Sequence, residues 1–221
     1  GAGARVLDVG AASGEWLYVL GRQSCDAEGI EIDGSFAAFG VEAYGVRIRN
    51  ESTFSFAGEP GYYDVVTAFH VLEHLHDPVA ALRRWAEWIT EDGRLIVEVP
   101  NIASRQQNPN RIFHEAHVYG FTTETLRRAG ERAGLLAERW VGGGDDRNVL
   151  AVFRKNAQPA VAEAVAQVPA ILEDRMAAWK YYLNPRTYGR ALVRIGTTVG
   201  EWAGCRLHAG PPRTMLDRLI G

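Results

Sequence analysis

Cysteine is scarce in this chain. Cys25 and Cys205 stand far apart among 221 residues, which excludes a disulfide framework and any C-x-x-C metal pair. Long apolar runs are absent too: nothing approaches the roughly 20 residues that a membrane-spanning helix needs, and no signal peptide is visible. Nor is there an excess of one charge. Lys and Arg number 24 against 27 Asp and Glu, a net charge of −3, so a surface built to follow a nucleic-acid backbone is not expected. The remaining composition, 47% hydrophobic and 23% charged, is that of an ordinary globular protein, with a cytoplasmic location as the default. The length suits one α/β domain with an appendage.

Residues 5–14, Arg-Val-Leu-Asp-Val-Gly-Ala-Ala-Ser-Gly, carry the densest chemistry. Val6, Leu7 and Val9 have the continuous apolar character of a buried parallel strand. Gly10 and Gly14 bracket a turn of small residues, and Glu15–Arg22 reads as a helix. A strand, a glycine turn and a helix start together aim free backbone N–H groups at a nucleotide-like ligand. Asp8 is the unusual member, because a carboxylate inside a strand is costly without a partner. At the strand's end it suits a ligand that carries a cation rather than a pyrophosphate. The glycine spacing also departs from the G-x-G-x-x-G of dinucleotide sites. Both features point to S-adenosylmethionine (SAM), with its ammonium and sulfonium groups.

The run Val-Leu-Asp-Val-Gly-Ala-Ala-Ser-Gly resembles motif I of the class I SAM-dependent methyltransferases, D-x-G-x-G-x-G, with Ala12 in place of the middle glycine. The resemblance implies cofactor contacts from Asp8, Gly10, Ala12 and Gly14. It also implies a ribose-binding carboxylate at the end of the second strand, where residues 28–33 supply Glu31 about 20 positions past the turn. Asp33 is the fallback, and otherwise caps the next helix with Ser35. In the family the residue leaving strand three often meets the adenine, which puts Asn50 or Glu51 there, and Phe69 at the end of strand four joins the cofactor-binding set. Relatives usually carry cofactor-covering helices before the first strand. This chain lacks an initiator Met and starts almost on that strand, so a preceding segment is expected to have been removed.

Further along, residues 36–44 read as a helix, 46–48 as a third strand and 63–69 as a continuous apolar fourth strand. Pro78 opens a helix over 79–90 with Leu82, Trp85, Ala86 and Ile89 at helical spacing, and 94–99 is the fifth strand. The loop from Pro100 to Thr122 is long enough to suspect function. After a helix to about Ala133, residues 135–141 and 148–153 close the domain as a hairpin. An antiparallel seventh strand is the family's hallmark. The expected fold is therefore α/β and Rossmann-like: a seven-stranded, mostly parallel sheet with an antiparallel last strand and helices on both faces. Residues 1–155 form the SAM-binding domain, and 156–221 a helical C-terminal extension with helices over 160–182 and 186–202. That extension would serve as a cover for the core or as a homodimer contact.

The histidines mark the acceptor side. His70, His74 and His76 surround the carboxyl end of strand four, and His114 and His117 lie in the loop after strand five, the sheet edge at which α/β enzymes build their sites. His70-x-x-Glu73-His74, with the later His117-Val-Tyr-Gly-Phe-Thr122, resembles a subset of the family. Small-RNA 2′-O-methyltransferases and ubiquinone-biosynthesis O-methyltransferases carry E-x-x-E-H here, and the former a later H-x-x-x-[FW]-T. In the RNA enzymes these residues hold a divalent metal that binds the target hydroxyls. The resemblance implies a ligand set of His70, Glu73, His74 and His117, converging beside the SAM methyl, with His114 as second choice. His70 in place of a glutamate moves the preference from Mg toward Mn, Fe or Zn. The alternatives are a metal-free site with His74, His117 or His70 as general base, and histidines that serve structure alone. His76 belongs to the following helix start.

These features point to a SAM-dependent methyltransferase acting on a hydroxyl of a small molecule such as a sugar or natural product. N- or C-methylation without metal, and a non-catalytic SAM-fold subunit, are the alternatives. Asp8, Glu31 and the histidines argue against the subunit, because a scaffold needs none of them. An RNA acceptor is disfavoured by an acidic core without a basic, aromatic-interleaved stripe.

Overall fold

The computed structural model describes residues 2–104, 116–143, 146–156, 212–213 and 216–217. Its strands are β1 (Arg5–Val9), β2 (Asp26–Ile30), β3 (Ile48–Arg49), β4 (Tyr63–Phe69), β5 (Ile89–Pro100), β6 (Leu135–Gly142) and β7 (Asn148–Lys155). The helices are α1 (Glu15–Arg22), α2 (Gly34–Tyr44), α3 (Pro78–Trp88) and α4 (Thr123–Arg132). The strands form a single sheet in the order β3-β2-β1-β4-β5-β7-β6. β1 pairs parallel with both β2 and β4, and β4 pairs parallel with β5. Parallel neighbours need crossover connections, and α1, α2 and α3 are those connections. β7 alone runs antiparallel, against both β5 and β6. The seven-stranded Rossmann-like sheet is as the sequence implies.

The core sits on the central strands. Leu7, Val66, Ala68, Leu95, Val97 and Val99 are buried with Leu82 and Trp85 of α3 and Leu126 of α4. α1 packs against α2 and α3 against α4, so two helix pairs cover the sheet. Asp33 caps α2 by accepting from Ser35 N–H at 2.8 Å and Phe36 N–H at 3.4 Å. Asp77 caps α3 through Ala80 N–H at 2.8 Å, with Pro78 in the first turn.

Several boundaries differ from those expected. α3 ends at Trp88 rather than at residue 90, because Ile89 turns extended and pairs with Tyr63 at the foot of β4. β5 consequently opens at Ile89, ahead of Arg94. β3 lies at Ile48–Arg49, and β2 ends at Ile30, which leaves Glu31 and Asp33 in the exit loop beside the glycine turn. His114 and the two helices expected over 160–182 and 186–202 lie outside the described residues. Near the chain's end, Asp217 accepts the Tyr18 hydroxyl at 2.7 Å, and the Arg213 guanidinium lies 5.5 Å over the Tyr18 ring. Arg213 and Asp217 therefore lie against α1. Among the described residues, no helix is long and apolar enough to cross a membrane.

Candidate active site

Asp8 sits in β1 directly across from Thr67 of β4 and Gly29 of β2. It is 4% exposed, and its Oδ1 accepts the Thr67 hydroxyl at 2.6 Å. Burial pushes the carboxyl up to about 7; the Thr67 bond opposes the shift and the charge of Glu31 adds to it. Past the strand, the N–H groups of Gly10 and Ala11 both donate to Ile30 O, at 2.8 and 3.0 Å, and fold the turn across the end of β2. Gly10 has φ +72°, and a Cβ there would lie 2.4 Å from Val71 Cγ2, so only glycine fits. Ala12 is also left-handed, at φ +45°, which explains why motif I favours glycine at this position. Gly14, at φ +79°, opens α1.

Glu31 reaches into this turn. Its Oε2 accepts Ala12 N–H at 2.9 Å, and its Oε1 accepts Asp33 N–H at 2.8 Å. Asn50 donates through Nδ2 to the carbonyls of Glu31 and Ile32, both at 2.9 Å. Its amide nitrogen therefore braces the loop that carries Glu31. Phe69, at the carboxyl end of β4, meets Trp16 of α1 edge-on with ring centroids 6.1 Å apart. All the residues the sequence assigns to the cofactor thus gather around one turn and the strand ends beside it.

His70 follows with φ +56°, a conformation that side chains other than glycine's rarely adopt. Next comes a 3-10 turn over Leu72–His74. Glu73 is 1% exposed and neither carboxylate oxygen has a hydrogen-bond partner among the described residues. His70 Nδ1 stands 3.4 Å from Glu73 Oε1 and Nε2 stands 3.1 Å from Glu98 Oε1. Glu73 and then Glu98 hold the imidazole above its ordinary pKa, against the effect of burial. On the other side of Glu73, His74 Nδ1 donates to Ala116 O at 2.8 Å. A carbonyl acceptor at Nδ1 places the proton there and leaves Nε2 as the base or ligand atom.

The loop after β5 brings in His117. Glu73 O accepts Val118 N–H at 2.8 Å and Tyr119 N–H at 3.1 Å, and the Tyr119 hydroxyl donates to His76 O at 3.1 Å. These bonds pin the loop against the 3-10 turn and set the His117 ring edge-to-face with His74. Donor atoms of Glu73, His74 and His117 all lie within 4.8 Å of one another. Three of the four expected ligands converge; His70 stands outside that group, engaged with Glu98. A buried carboxylate without hydrogen bonds and two imidazoles form a nitrogen–oxygen donor set that fits a divalent metal, with the Ala116 carbonyl orienting His74 from behind.

Residues 1–138 match the family model described as methyltransferase domain. The chain belongs to this family. It is a class I SAM-dependent methyltransferase by family. It is 33% identical over 106 residues to the ubiquinone biosynthesis O-methyltransferase of Xanthomonas euvesicatoria pv. vesicatoria (strain 85-10), covering 45% of this chain and 44% of that protein. To the enzyme of the same name from Aeromonas salmonicida (strain A449) it is 27% identical over 157 residues, covering 61% and 63%. The methyltransferase thus spans less than two thirds of either relative. In fold it is similar to Burkholderia thailandensis 1,6-didemethyltoxoflavin-N1-methyltransferase, solved with 1,6-didemethyltoxoflavin and S-adenosylhomocysteine bound. The TM-score is 0.58 at 20% identity, covering 70% of this chain and 72% of that one.

Several residues of the candidate site escape a reading of the sequence. Thr67 is visible only as a polar residue inside an apolar strand, and its partnership with Asp8 depends on β1–β4 register. Glu98 and Asn148 meet His70 only because β5 lies between β4 and β7.

Proposed function

We propose that this methyltransferase transfers the SAM methyl group to a hydroxyl of a small molecule. The observation that carries the reading is the cluster of Glu73, His74 and His117 at the carboxyl edge of the sheet. The names of the ubiquinone biosynthesis O-methyltransferases agree with it, and a net charge of −3 favours a small acceptor over a nucleic acid.

In this reading Asp8, Gly10, Ala12, Gly14 and Glu31 seat the cofactor, with Phe69 beside them and Asn50 bracing the Glu31 loop. Asp8 faces the ammonium group and Glu31 the ribose hydroxyls. The sulfonium already activates the methyl, so holding donor and acceptor in line supplies much of the rate. The acceptor oxygen forms a bond to the methyl carbon as the carbon–sulfur bond breaks. That electron pair returns to sulfur, leaving S-adenosylhomocysteine. The hydroxyl proton passes to His74 Nε2, or to His117 on the other side of the cluster. A divalent metal on Glu73, His74 and His117 would lower the pKa of the hydroxyl.

Turnover of labelled SAM against a panel of hydroxylated metabolites, with and without chelator, tests the reading. Methyl transfer to oxygen that His74→Ala lowers about 100-fold or more supports it. Loss of activity in chelator adds the metal, and indifference to chelator leaves a histidine base. Transfer to nitrogen or carbon, unaffected by replacing His74 and His117 together, would overturn it.

A further inference from the structure

Glu98 and Asn148 have no part in the chemistry above, yet they meet at the same sheet edge. Glu98 lies in β5 opposite Phe69 of β4. Strand alternation turns its side chain away from the buried Val97 and Val99, toward the other face of the sheet. Its Oε1 accepts Asn148 Nδ2 at 2.8 Å and stands 3.1 Å from His70 Nε2. Its backbone carbonyl accepts His70 N–H at 2.9 Å. One residue therefore holds His70 by both main chain and ring, where the backbone is left-handed. Such conformations persist where the surroundings hold them. The other ring nitrogen, Nδ1, faces Glu73 Oε1 at 3.4 Å, and the same oxygen lies 3.9 Å from His74 Nε2.

We propose that Glu98, oriented by Asn148, is a positioning residue for the acceptor site, clamping the His70 ring so that its far nitrogen fixes the buried Glu73 carboxylate beside His74. The role rests on the reading of Glu73, His74 and His117 as the acceptor-side cluster. Glu73 has no hydrogen-bond partner of its own among the described residues, and His70 Nδ1 at 3.4 Å stands closer to its Oε1 than His74 Nε2 at 3.9 Å. The clamp is an ionised acceptor and stronger than a neutral one. Losing it frees the ring and, through it, Glu73, while the Asp8–Glu31 cofactor seat, built on β1 and the exit of β2, stays intact.

The experiment uses the full chain labelled with 15N-histidine, in wild type, Glu98→Ala, Glu98→Gln and Asn148→Ala, with His70→Gln to assign signals. Long-range 1H–15N spectra are expected to show the His70 and His74 ring signals displaced in Glu98→Ala and less so in Glu98→Gln and Asn148→Ala, with His76 unmoved. SAM affinity by calorimetry stays at the wild-type value in all three. With an acceptor in hand, Glu98→Ala lowers kcat about tenfold at unchanged KM for SAM, the scale of losing an outer partner of a site residue. His70 and His74 signals that stay in place in Glu98→Ala, or a kcat that falls only as SAM affinity falls, would overturn the proposal. Should no hydroxyl acceptor be found, the O-methylation reading fails and the histidine spectra still decide what Glu98 does.

Discussion

The rings of His74 and His117 meet edge to face with centroids 4.9 Å apart, although one follows β4 and the other lies in the loop after β5. Backbone bonds bring them together: Ala116 O takes the His74 ring proton, and Glu73 O takes the N–H groups of Val118 and Tyr119. His74 therefore has a fixed ring, with Nε2 turned toward Glu73 and its Nδ1 proton committed.

A general base positioned in this way contributes about 100-fold or more to a proton-transfer step. His74→Ala should lower methyl transfer to a hydroxyl by that order while SAM affinity stays at its wild-type value. Initial rates and calorimetry on the same preparation check both halves. Titrating the protein with Mn or Zn alone tests the donor set: wild type is expected to bind and His117→Ala to bind far more weakly.

Asp8 gives a pH dependence with a definite sign. Its folded pKa of about 7 lies above the unfolded value, so the unfolded chain loses its proton first. Its contribution to stability is therefore present at low pH, falls as pH rises from about 4 to about 7, and stays lost above that. Asp8→Asn keeps an oxygen for the Thr67 hydroxyl and carries no charge. Denaturant melts at about pH 8 should find it more stable than wild type. SAM affinity should fall about tenfold, the cost of losing an ionic partner. In wild type, affinity should rise with pH through about 7, with proton release visible in calorimetry in two buffers of different ionisation enthalpy.

Glu31→Ala removes the acceptor of two backbone N–H groups, those of Ala12 and Asp33, together with the carboxylate proposed for the ribose. SAM binding should weaken by about 1–3 kcal/mol. Unchanged affinity would take Glu31 out of the cofactor seat.

Gly10→Ala meets two obstacles: a left-handed backbone at φ +72° and Val71 Cγ2 at 2.4 Å from the new methyl carbon. The variant should lose at least about 1 kcal/mol of stability and bind SAM poorly. Adding Val71→Ala makes room for the methyl and leaves the backbone cost, so melting temperature should recover only in part.

Midway along α1, Tyr18 carries Asp217 on its hydroxyl and Arg213 over its ring. Removing residues 157–221 should expose this part of α1, lowering solubility or changing the mass in solution. Light scattering that finds the shortened chain as soluble as the whole, and of unchanged assembly, would make the extension an independent module.

The turn proposed to seat the cofactor was legible in the sequence as a structure because its parts are close along the chain and each obeys a local rule. The apolar run of β1, the left-handed demand at Gly10 and Gly14, the carboxylate after β2 and the Asp33 cap concern neighbours within one strand–helix–strand unit. The antiparallel β7 was legible from the hairpin that carries it. The acceptor side was legible only in its residue types. That His70 stands apart from the group of three and meets Glu98, and that Asn148 joins them, follow from β4, β5 and β7 lying side by side. Side-chain chemistry is written residue by residue, but which carboxylate meets which imidazole is decided by strand order and register. Those are properties of the whole sheet, set where the buried faces of β4, β5 and β7 pack together.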